Sequence, residues 1–350
     1  MPSYFATQAD LEALLARLIA EGEVVAPVLD QGRNILQTVT AATIKDVNLA
    51  GYRTVEPYKS YVFKLTERVA TYFTPSPAGQ NRRLVLFGLR ACDLSALDVY
   101  HKVMDEGEPA YLVVTADCTA CGRTCFCNMV GGKPYAAAGF DLNITALENG
   151  YIIETGSPRG EQLLSPLPPA TDDQLKLQAG VRNGTEAQLE TVNQEFKCKC
   201  NINWTEAHRL NLENSKAWKE VTKKCVECSA CNFICPSCTC FLLLDSRDEG
   251  SLGGARDERG TKDENSRHKV WDACLKNGYA RVAGGANSRP KLFERLQNRY
   301  HCKFDYSPTR LGRYTCVGCG RCIDACAGNI DMREVYAELV RQVPLTAKLV

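Results

Sequence analysis

Two runs of cysteines carry most of the chemistry that this sequence can do. Both runs have the spacing C-x2-C-x2-C-x3-C, and the chain has 19 cysteines in all. Bacterial ferredoxins bind [4Fe-4S] clusters with this spacing, because three thiolates on a tight loop can hold one face of a cubane. The sequence therefore predicts two such clusters and electron transfer through them. The cysteines are Cys225, Cys228, Cys231 and Cys235 in the first run and Cys316, Cys319, Cys322 and Cys326 in the second.

The fourth cysteine of each run is expected to bind the cluster of the other run. It begins the next helix, so it points away from the loop that carries the first three cysteines. The two clusters then lie close together. On this crossed scheme the first cluster is bound by Cys225, Cys228, Cys231 and Cys326, and the second by Cys235, Cys316, Cys319 and Cys322.

Zinc sites and disulfides explain these runs less well. Zinc takes only four ligands, and they usually come as two separated pairs. Disulfides need an oxidising compartment, whereas the chain starts Met-Pro-Ser-Tyr without the basic and apolar stretches of a secretion signal. We therefore expect a cytoplasmic protein with iron bound through its cysteines.

A further group of cysteines lies in the N-terminal part of the chain. Cys92 starts a predicted helix, Cys118 follows the next predicted strand, and Cys121, Cys125 and Cys127 come soon after. Loops that leave the same end of parallel strands converge, which is where α/β sheets place their sites. Spacing alone leaves two interpretations open, a metal site or a set of reduced cysteines without a ligand.

The elements around these cysteines predict an α/β N-terminal domain over residues 1–160. Leucines at helical spacing in residues 8–21, with Thr7 as N-cap, indicate an amphipathic helix. Strands are predicted for residues 23–29, 34–40, 84–89 and 111–116, with a helix over 93–104 between the last two. That βαβ unit implies a partly parallel sheet. Residues 140–145 and 150–155 read as a closing hairpin.

The remaining residues predict a linker with helices over 161–215 and a mainly helical dicluster ferredoxin domain over 216–350. Helices are expected over 188–196 and 206–222. An insertion of about residues 246–314 separates the two cysteine runs. Its first part is charged and glycine-rich, which favours an exposed loop. Its second part, residues 270–300, has apolar helical patterning and should pack against the clusters.

Composition excludes several classes of function. The formal net charge of +1 gives no general attraction to nucleic acid, and no apolar run is long enough for direct membrane insertion. No G-x-G-x-x-G follows a predicted strand and no P-loop is present, so we expect no nucleotide or flavin bound directly by this chain. No catalytic residue is assigned.

Several short sequence segments resemble those of a known family. They are Gly88-Leu-Arg-Ala-Cys92-Asp-Leu, Thr124-Cys-Phe-Cys127, Trp271-Asp-Ala-Cys274 and the second cysteine run. With them the chain resembles the iron–sulfur β subunit of cytoplasmic sulfhydrogenases and the corresponding iron–sulfur subunit of anaerobic sulfite reductase, from about residue 57 to residue 332. The resemblance implies a third [4Fe-4S] cluster, bound by Cys92, Cys118, Cys125 and Cys127.

The resemblance also implies partners. The chain would pass electrons between a catalytic subunit of hydrogenase or sulfite/sulfur reductase type and a flavin-containing NAD(P)H or ferredoxin-linked reductase subunit. Three alternatives stay open. They are an electron-relay subunit of a heterodisulfide-reductase-type or electron-bifurcating complex, a redox-sensing iron–sulfur binding module, and a self-sufficient reductase with its active site at Cys238, Cys240 and Cys274.

Seven cysteines stay without an assigned role. The resemblance covers Cys238, Cys240 and Cys274, and the simpler interpretation is that their S–H groups donate hydrogen bonds near the clusters and tune their potentials. Cys121 is interpreted as a bystander or an alternate ligand at the third group of cysteines, and we assign no cofactor to Cys198, Cys200 and Cys302.

Overall fold

The computed structural model describes residues 1–71, 83–104, 111–164, 167–197, 203–211, 215–246 and 266–342. The strands are β1 Ser3–Ala6, β2 Gly22–Asp30, β3 Arg33–Val39, β4 Thr66–Thr71, β5 Arg83–Leu89, β6 Leu112–Ala116, β7 Leu142–Leu147, β8 Gly150–Thr155, β9 Phe241–Ser246 and β10 Ser266–Trp271. The helices are α1 Gln8–Glu21, α2 Lys59–Val62, α3 Ala91–Met104, α4 Pro158–Leu164, α5 Asp172–Asn193, α6 Trp204–Leu210, α7 Ser215–Thr222, α8 Ala230–Phe233, α9 Leu292–His301, α10 Ser307–Leu311, α11 Arg321–Asp324 and α12 Met332–Gln342.

A seven-stranded mixed sheet forms the N-terminal part, in the order β1-β8-β7-β6-β5-β2-β3. Its four central strands, β2, β5, β6 and β7, are parallel, and the outer pairs are antiparallel. The predicted α/β sheet with parallel strands is therefore confirmed. Strands β5 and β6, which α3 connects, are parallel neighbours in the sheet. Their carboxyl ends therefore lie at the same edge, and Cys92 and Cys118 follow these ends.

Helix α1 shows how local sequence positions an element of this sheet. The side chain of Thr7 accepts a hydrogen bond from the backbone N–H of Asp10, and the Asp10 carboxylate accepts one from the backbone N–H of Thr7. This capping box satisfies donors that the first turn would otherwise leave unpaired. Four leucines of α1 are buried against the sheet, and each contributes about 1.5–3 kcal/mol by leaving water.

A smaller sheet joins segments that are far apart in the sequence. Strand β10 pairs antiparallel with β4 on one side and with β9 on the other. The prediction of helical structure from residue 270 is therefore wrong at its start. Val270 lies in β10, and the helix of this region, α9, begins at Leu292. Most of the predicted glycine-rich loop after residue 246 lies outside the described residues.

Helix α5 is much longer than the helix predicted over 188–196. It begins at Asp172 with Thr171 as N-cap and packs on the sheet through polar contacts. Gln178 donates to the hydroxyl of Thr145, and Arg182 pairs with the buried carboxylate of Asp117 at 2.7 Å. The sequence did not predict the full length of this helix, because the face that packs on the sheet is polar. Its side chains bond to polar groups of the sheet, so no apolar periodicity marks it. The helix predicted over 206–222 is two helices, α6 and α7.

Among the described residues no helix is both long and apolar enough to cross a bilayer.

Candidate iron–sulfur centres

The first candidate site is formed by the loop before α8 together with Cys326. Cys225, Cys228 and Cys231 line one cavity with Cys326, as the crossed scheme expects. The loop can turn this tightly because Glu227 and Ser229 adopt left-handed backbone conformations, with φ of 57° and 61°. We call this group of four thiols the first site.

The second candidate site is more deeply placed and joins Cys235 to the second run. The pKa of Cys316 is raised to about 11. Burial is the main cause, and the neighbouring Cys235 and Cys319 contribute to the increase. Burial likewise raises the pKa of Cys322, and Cys235, Cys316 and Cys319 again add to the effect. The four thiols Cys235, Cys316, Cys319 and Cys322 therefore lie together and form the second site.

The third candidate site lies at the carboxyl edge of the large sheet. Cys92, Cys118, Cys125 and Cys127 line one cavity, whose wall also includes Cys121. Burial raises the pKa of Cys118 to about 12 and the pKa of Cys125 less strongly. Helix α5 holds this loop in place, because Asn193 at its end donates to the carbonyl of Cys125 at 2.9 Å. The four predicted ligands form the third site.

The buried thiols fit a group that brings positive charge. A thiol in apolar surroundings stays protonated, and metal binding is what makes it a thiolate there. Within the described ranges, no three His, Cys, Asp or Glu side chains meet closely enough to hold a single metal ion. In a cubane each iron takes one thiolate, so four sulfur atoms surround the cluster rather than one point. The arrangement suits a cubane better than zinc, whose ligands all lie about 2.3 Å from one ion.

Two glycines bring the second site against the third. Gly318 and Gly320 have φ of 64° and 73°. A Cβ atom at Gly318 would lie 2.5 Å from the backbone of Cys127, and one at Gly320 would lie 2.1 Å from the carbonyl oxygen of Thr124. Only glycine allows this close approach of two backbones. Cys319, between the two glycines, therefore also lines the cavity of the third site.

An ion pair ties the same two sites together. Arg321 donates to both carboxylate oxygens of Asp93, at 2.8 and 2.9 Å, and both side chains are fully buried. Asp93 follows Cys92 of the third site, and Arg321 precedes Cys322 of the second. A bidentate pair of this kind fixes orientation as well as distance. Backbone contacts and a buried ion pair thus hold the second and third sites together.

Buried cations lie around the first and second sites. The ammonium of Lys303 lies 3.2 Å from the sulfur of Cys235 of the second site. The guanidinium of Arg299 donates to the carbonyl of Cys231 of the first site at 3.1 Å. Arg53 donates to the carbonyl of Cys319. These residues would balance the negative charge of a thiolate-bound cluster. No sequence pattern pointed to them, because each acts on a residue far away along the chain.

The other cysteines fall into three groups. Cys238, Cys240 and Cys274 lie beside the first and second sites and are partly or fully buried. Cys302 is exposed. Cys198 and Cys200 lie outside the described residues.

Comparison with known proteins identifies the region that holds the first and second sites. Residues 224–330 match the family described as "4Fe-4S dicluster domain", a range that contains both cysteine runs. This chain carries a 4Fe-4S dicluster domain. The chain is also similar to sulfhydrogenase 2 subunit beta of Pyrococcus furiosus, with 28% identity over 340 residues, 92% of this chain and 94% of that protein. No solved structure matches the chain.

The dicluster domain confirms that iron–sulfur clusters are the cofactors. The first and second sites contain the cysteines of that domain. When bound, the clusters supply one-electron redox chemistry. The protein supplies the ligands, the cations around them and the burial that excludes water.

Proposed function

We propose that this chain is the electron-transfer iron–sulfur subunit of a sulfhydrogenase-type complex. In this proposal the first site binds a [4Fe-4S] cluster through Cys225, Cys228, Cys231 and Cys326. The second site binds one through Cys235, Cys316, Cys319 and Cys322, and the third through Cys92, Cys118, Cys125 and Cys127. The three clusters would form a series with the second in the middle.

The observation that carries this proposal is that neighbouring sites share a wall. Cys319 belongs to the second site and lines the cavity of the third. Cys322 also belongs to the second site and lines the cavity of the first. An electron that arrives at either end can therefore reach the other end through ligands that are in contact with both cavities.

The two ends of this series differ in how a partner would reach them. At the first site Cys228 is exposed, and so is its neighbour Val226. Between the second and third sites a cleft of about 730 Å³ is lined by Cys92, Cys127 and Cys316. We infer that one end receives electrons from a flavin-containing reductase subunit, whereas the other passes them to a catalytic subunit of hydrogenase or sulfite/sulfur reductase type.

Purification of the native complex under anaerobic conditions tests this function. We expect this chain to copurify with two other proteins, one that contains flavin and one that contains nickel or siroheme. Rapid mixing with the reductant of the flavin protein should reduce the clusters of this chain before the catalytic subunit turns over. A chain that purifies alone, and whose clusters stay oxidised during turnover of the complex, would contradict the proposal.

A further inference from the structure

The sheet formed by β9 and β10 brings together two cysteines that belong to none of the three sites. Cys240 directly precedes β9, and its carbonyl accepts a hydrogen bond from the backbone N–H of Asp272 at 2.9 Å, which continues the pairing beyond the end of β10. Cys274 follows two residues after Asp272. The small sheet thus brings the segments that carry Cys240 and Cys274 together, and the two thiols lie close enough to interact.

The two thiols have different surroundings. Cys240 is partly exposed, whereas Cys274 is 9% exposed. The thiol and backbone N–H of Cys274 and the hydroxyl of Tyr279 lie beside the Cys240 sulfur and each favours its thiolate form. The hydrogen bond from the Cys274 thiol is the main cause that lowers the pKa of Cys240 to about 6, against the opposite effect of burial. The same hydrogen bond and burial raise the pKa of Cys274.

This asymmetry is the arrangement that thiol–disulfide exchange requires. The attacking thiol must be accessible and ionised near neutral pH, and a second thiol must stand behind it to resolve the mixed disulfide. Cys240 is the more exposed thiol and is placed to attack, whereas the buried Cys274 stands behind it and can resolve the mixed disulfide. Tyr279 adds a proton donor beside the attacking sulfur.

One side chain connects this pair to the clusters. The amide nitrogen of Asn232 lies 3.2 Å from the sulfur of Cys274, and its amide oxygen lies 3.7 Å from the sulfur of Cys231. Asn232 is buried. Cys231 is a ligand in the proposed first site. The dithiol therefore lies one amide group away from a cluster ligand.

We propose that Cys240 and Cys274 form a dithiol–disulfide centre that reduces small organic disulfides with electrons from the neighbouring clusters. The substrate is small because Cys240 is only partly exposed. The centre would convert the one-electron chemistry of the clusters into a two-electron reaction. Its supply of electrons rests on the proposed electron-transfer function, whereas the exchange reaction of the thiols does not.

The reaction conserves atoms and electrons. The Cys240 thiolate attacks one sulfur of the substrate R–S–S–R, so that a Cys240–S–S–R bond forms and one RS⁻ leaves. Cys274 loses its proton and attacks the sulfur of Cys240, which releases the second RS⁻ and forms the Cys240–Cys274 disulfide. Two electrons, delivered one at a time by the clusters, and one proton restore the Cys240 thiolate and the Cys274 thiol. The net change is R–S–S–R plus two electrons to two RS⁻.

Reduced methyl viologen as electron donor and hydroxyethyl disulfide as probe test this activity in the anaerobically purified full chain. We expect the wild-type protein to oxidise the viologen at the expense of the probe. Cys240→Ser and Cys274→Ser should each lower the rate about a hundredfold or more. Tyr279→Phe should lower it about tenfold, because one hydrogen bond to the thiolate is lost. Cys302→Ser is the matched control and should keep the wild-type rate.

A trapping experiment separates this proposal from the electron-transfer function. In Cys274→Ser the mixed disulfide cannot be resolved, so mass spectrometry should find the probe attached to Cys240 without any added reductant. Wild-type clusters that accept electrons from viologen, in a protein that does not reduce the probe, would overturn the dithiol proposal and leave the electron-transfer function standing. Loss of iron in Cys240→Ser or Cys274→Ser would also overturn it, since the thiols would then be cluster ligands. Clusters that do not accept electrons, with Cys240 still trapped, would contradict the electron-transfer function alone.

Discussion

The first and second sites have the same cysteine spacing but very different surroundings. At the first site Cys228 is exposed and Val226 is 62% exposed. At the second site Cys235, Cys316 and Cys319 are each less than 9% exposed. The shared spacing predicts the same kind of cluster at both sites. The packing around each loop decides whether solvent or fixed protein charges surround the four thiols.

Two buried cations contact the second site directly. Lys303 contacts the sulfur of Cys235, and Arg53 donates to the carbonyl of Cys319. A buried charge acts in a medium of low dielectric constant, so its effect on a nearby redox centre is larger than that of an exposed charge. We therefore expect substitutions of buried residues around the second site to alter stability and potential more than substitutions of exposed residues at the first site.

The largest effect is expected from removal of a ligand of the middle site. Cys316→Ala should cost about four of about twelve irons, because the second cluster loses a thiolate in a buried position. Electron transfer between the first and third sites should then stop, although both still bind iron. Iron analysis and rapid-mixing reduction of the variant measure these two results. Cys302→Ser, which changes an exposed cysteine outside the sites, is the control, and full transfer in Cys316→Ala would refute the serial arrangement.

The next effect concerns the ion pair between the second and third sites. Arg321→Leu leaves the carboxylate of Asp93 buried without its partner, which should lower the free energy of unfolding by about 3–5 kcal/mol. Denaturation midpoints of the anaerobic protein measure the change.

A surface ion pair provides the matched control for Arg321. Arg313 pairs with Asp98 at 2.9 Å, and both side chains are about 40% exposed (37% and 42%). Arg313→Leu should therefore lower the free energy of unfolding by at most about 1 kcal/mol. Equal losses of unfolding free energy in Arg321→Leu and Arg313→Leu would contradict the inference that the buried ion pair beside the second site contributes more to stability than the exposed one.

A smaller effect is expected on the potential of the second cluster. Lys303→Met removes a buried positive charge 3.2 Å from a ligand sulfur. Because a cation stabilises the more negative reduced cluster, its removal should lower the reduction potential, on the order of 100 mV. EPR-monitored redox titration measures the potential. Lys45→Met, at an exposed position far from the clusters, should leave it unchanged. A potential that stays the same or rises in Lys303→Met contradicts the role given to this charge.

The smallest effect is expected at the exposed first site. Val226→Ser changes a side chain that already faces water, so the free energy of unfolding should stay within about 0.5 kcal/mol of the wild-type value. The same redox titration should find no measurable shift in any cluster. A shift as large as that of Lys303→Met would mean that the first site is as shielded as the second.

Local sequence signals predicted much of the large sheet. The Thr7 cap, the strands β2 and β3 and the β5-α3-β6 crossover depend on residues that are near each other in the chain, and the structure has them within a few residues of the predicted bounds. The small sheet escaped prediction because β4 pairs with β10 across some 200 residues of sequence, as in the pairing of Thr66 with Val270. Periodicity cannot report a partner at that distance.

The same distinction applies to the sites. Cysteine spacing pointed to the thiols of the first and second sites, since three of each four lie on one short loop. The cations escaped prediction, because Lys303 and Cys235 are 68 residues apart and nothing around Lys303 marks it as a neighbour of sulfur. The pairing of Cys240 with Cys274 likewise depends on the β9–β10 ladder, which only the fold reveals.

Iron and acid-labile sulfide analysis of the anaerobically purified wild-type chain, combined with EPR during graded reduction, tests the central claim most directly. Three cubanes in series predict about twelve irons and twelve sulfides per chain, and magnetic interaction between neighbouring reduced clusters. About eight irons, with two clusters that do not interact, would contradict the account.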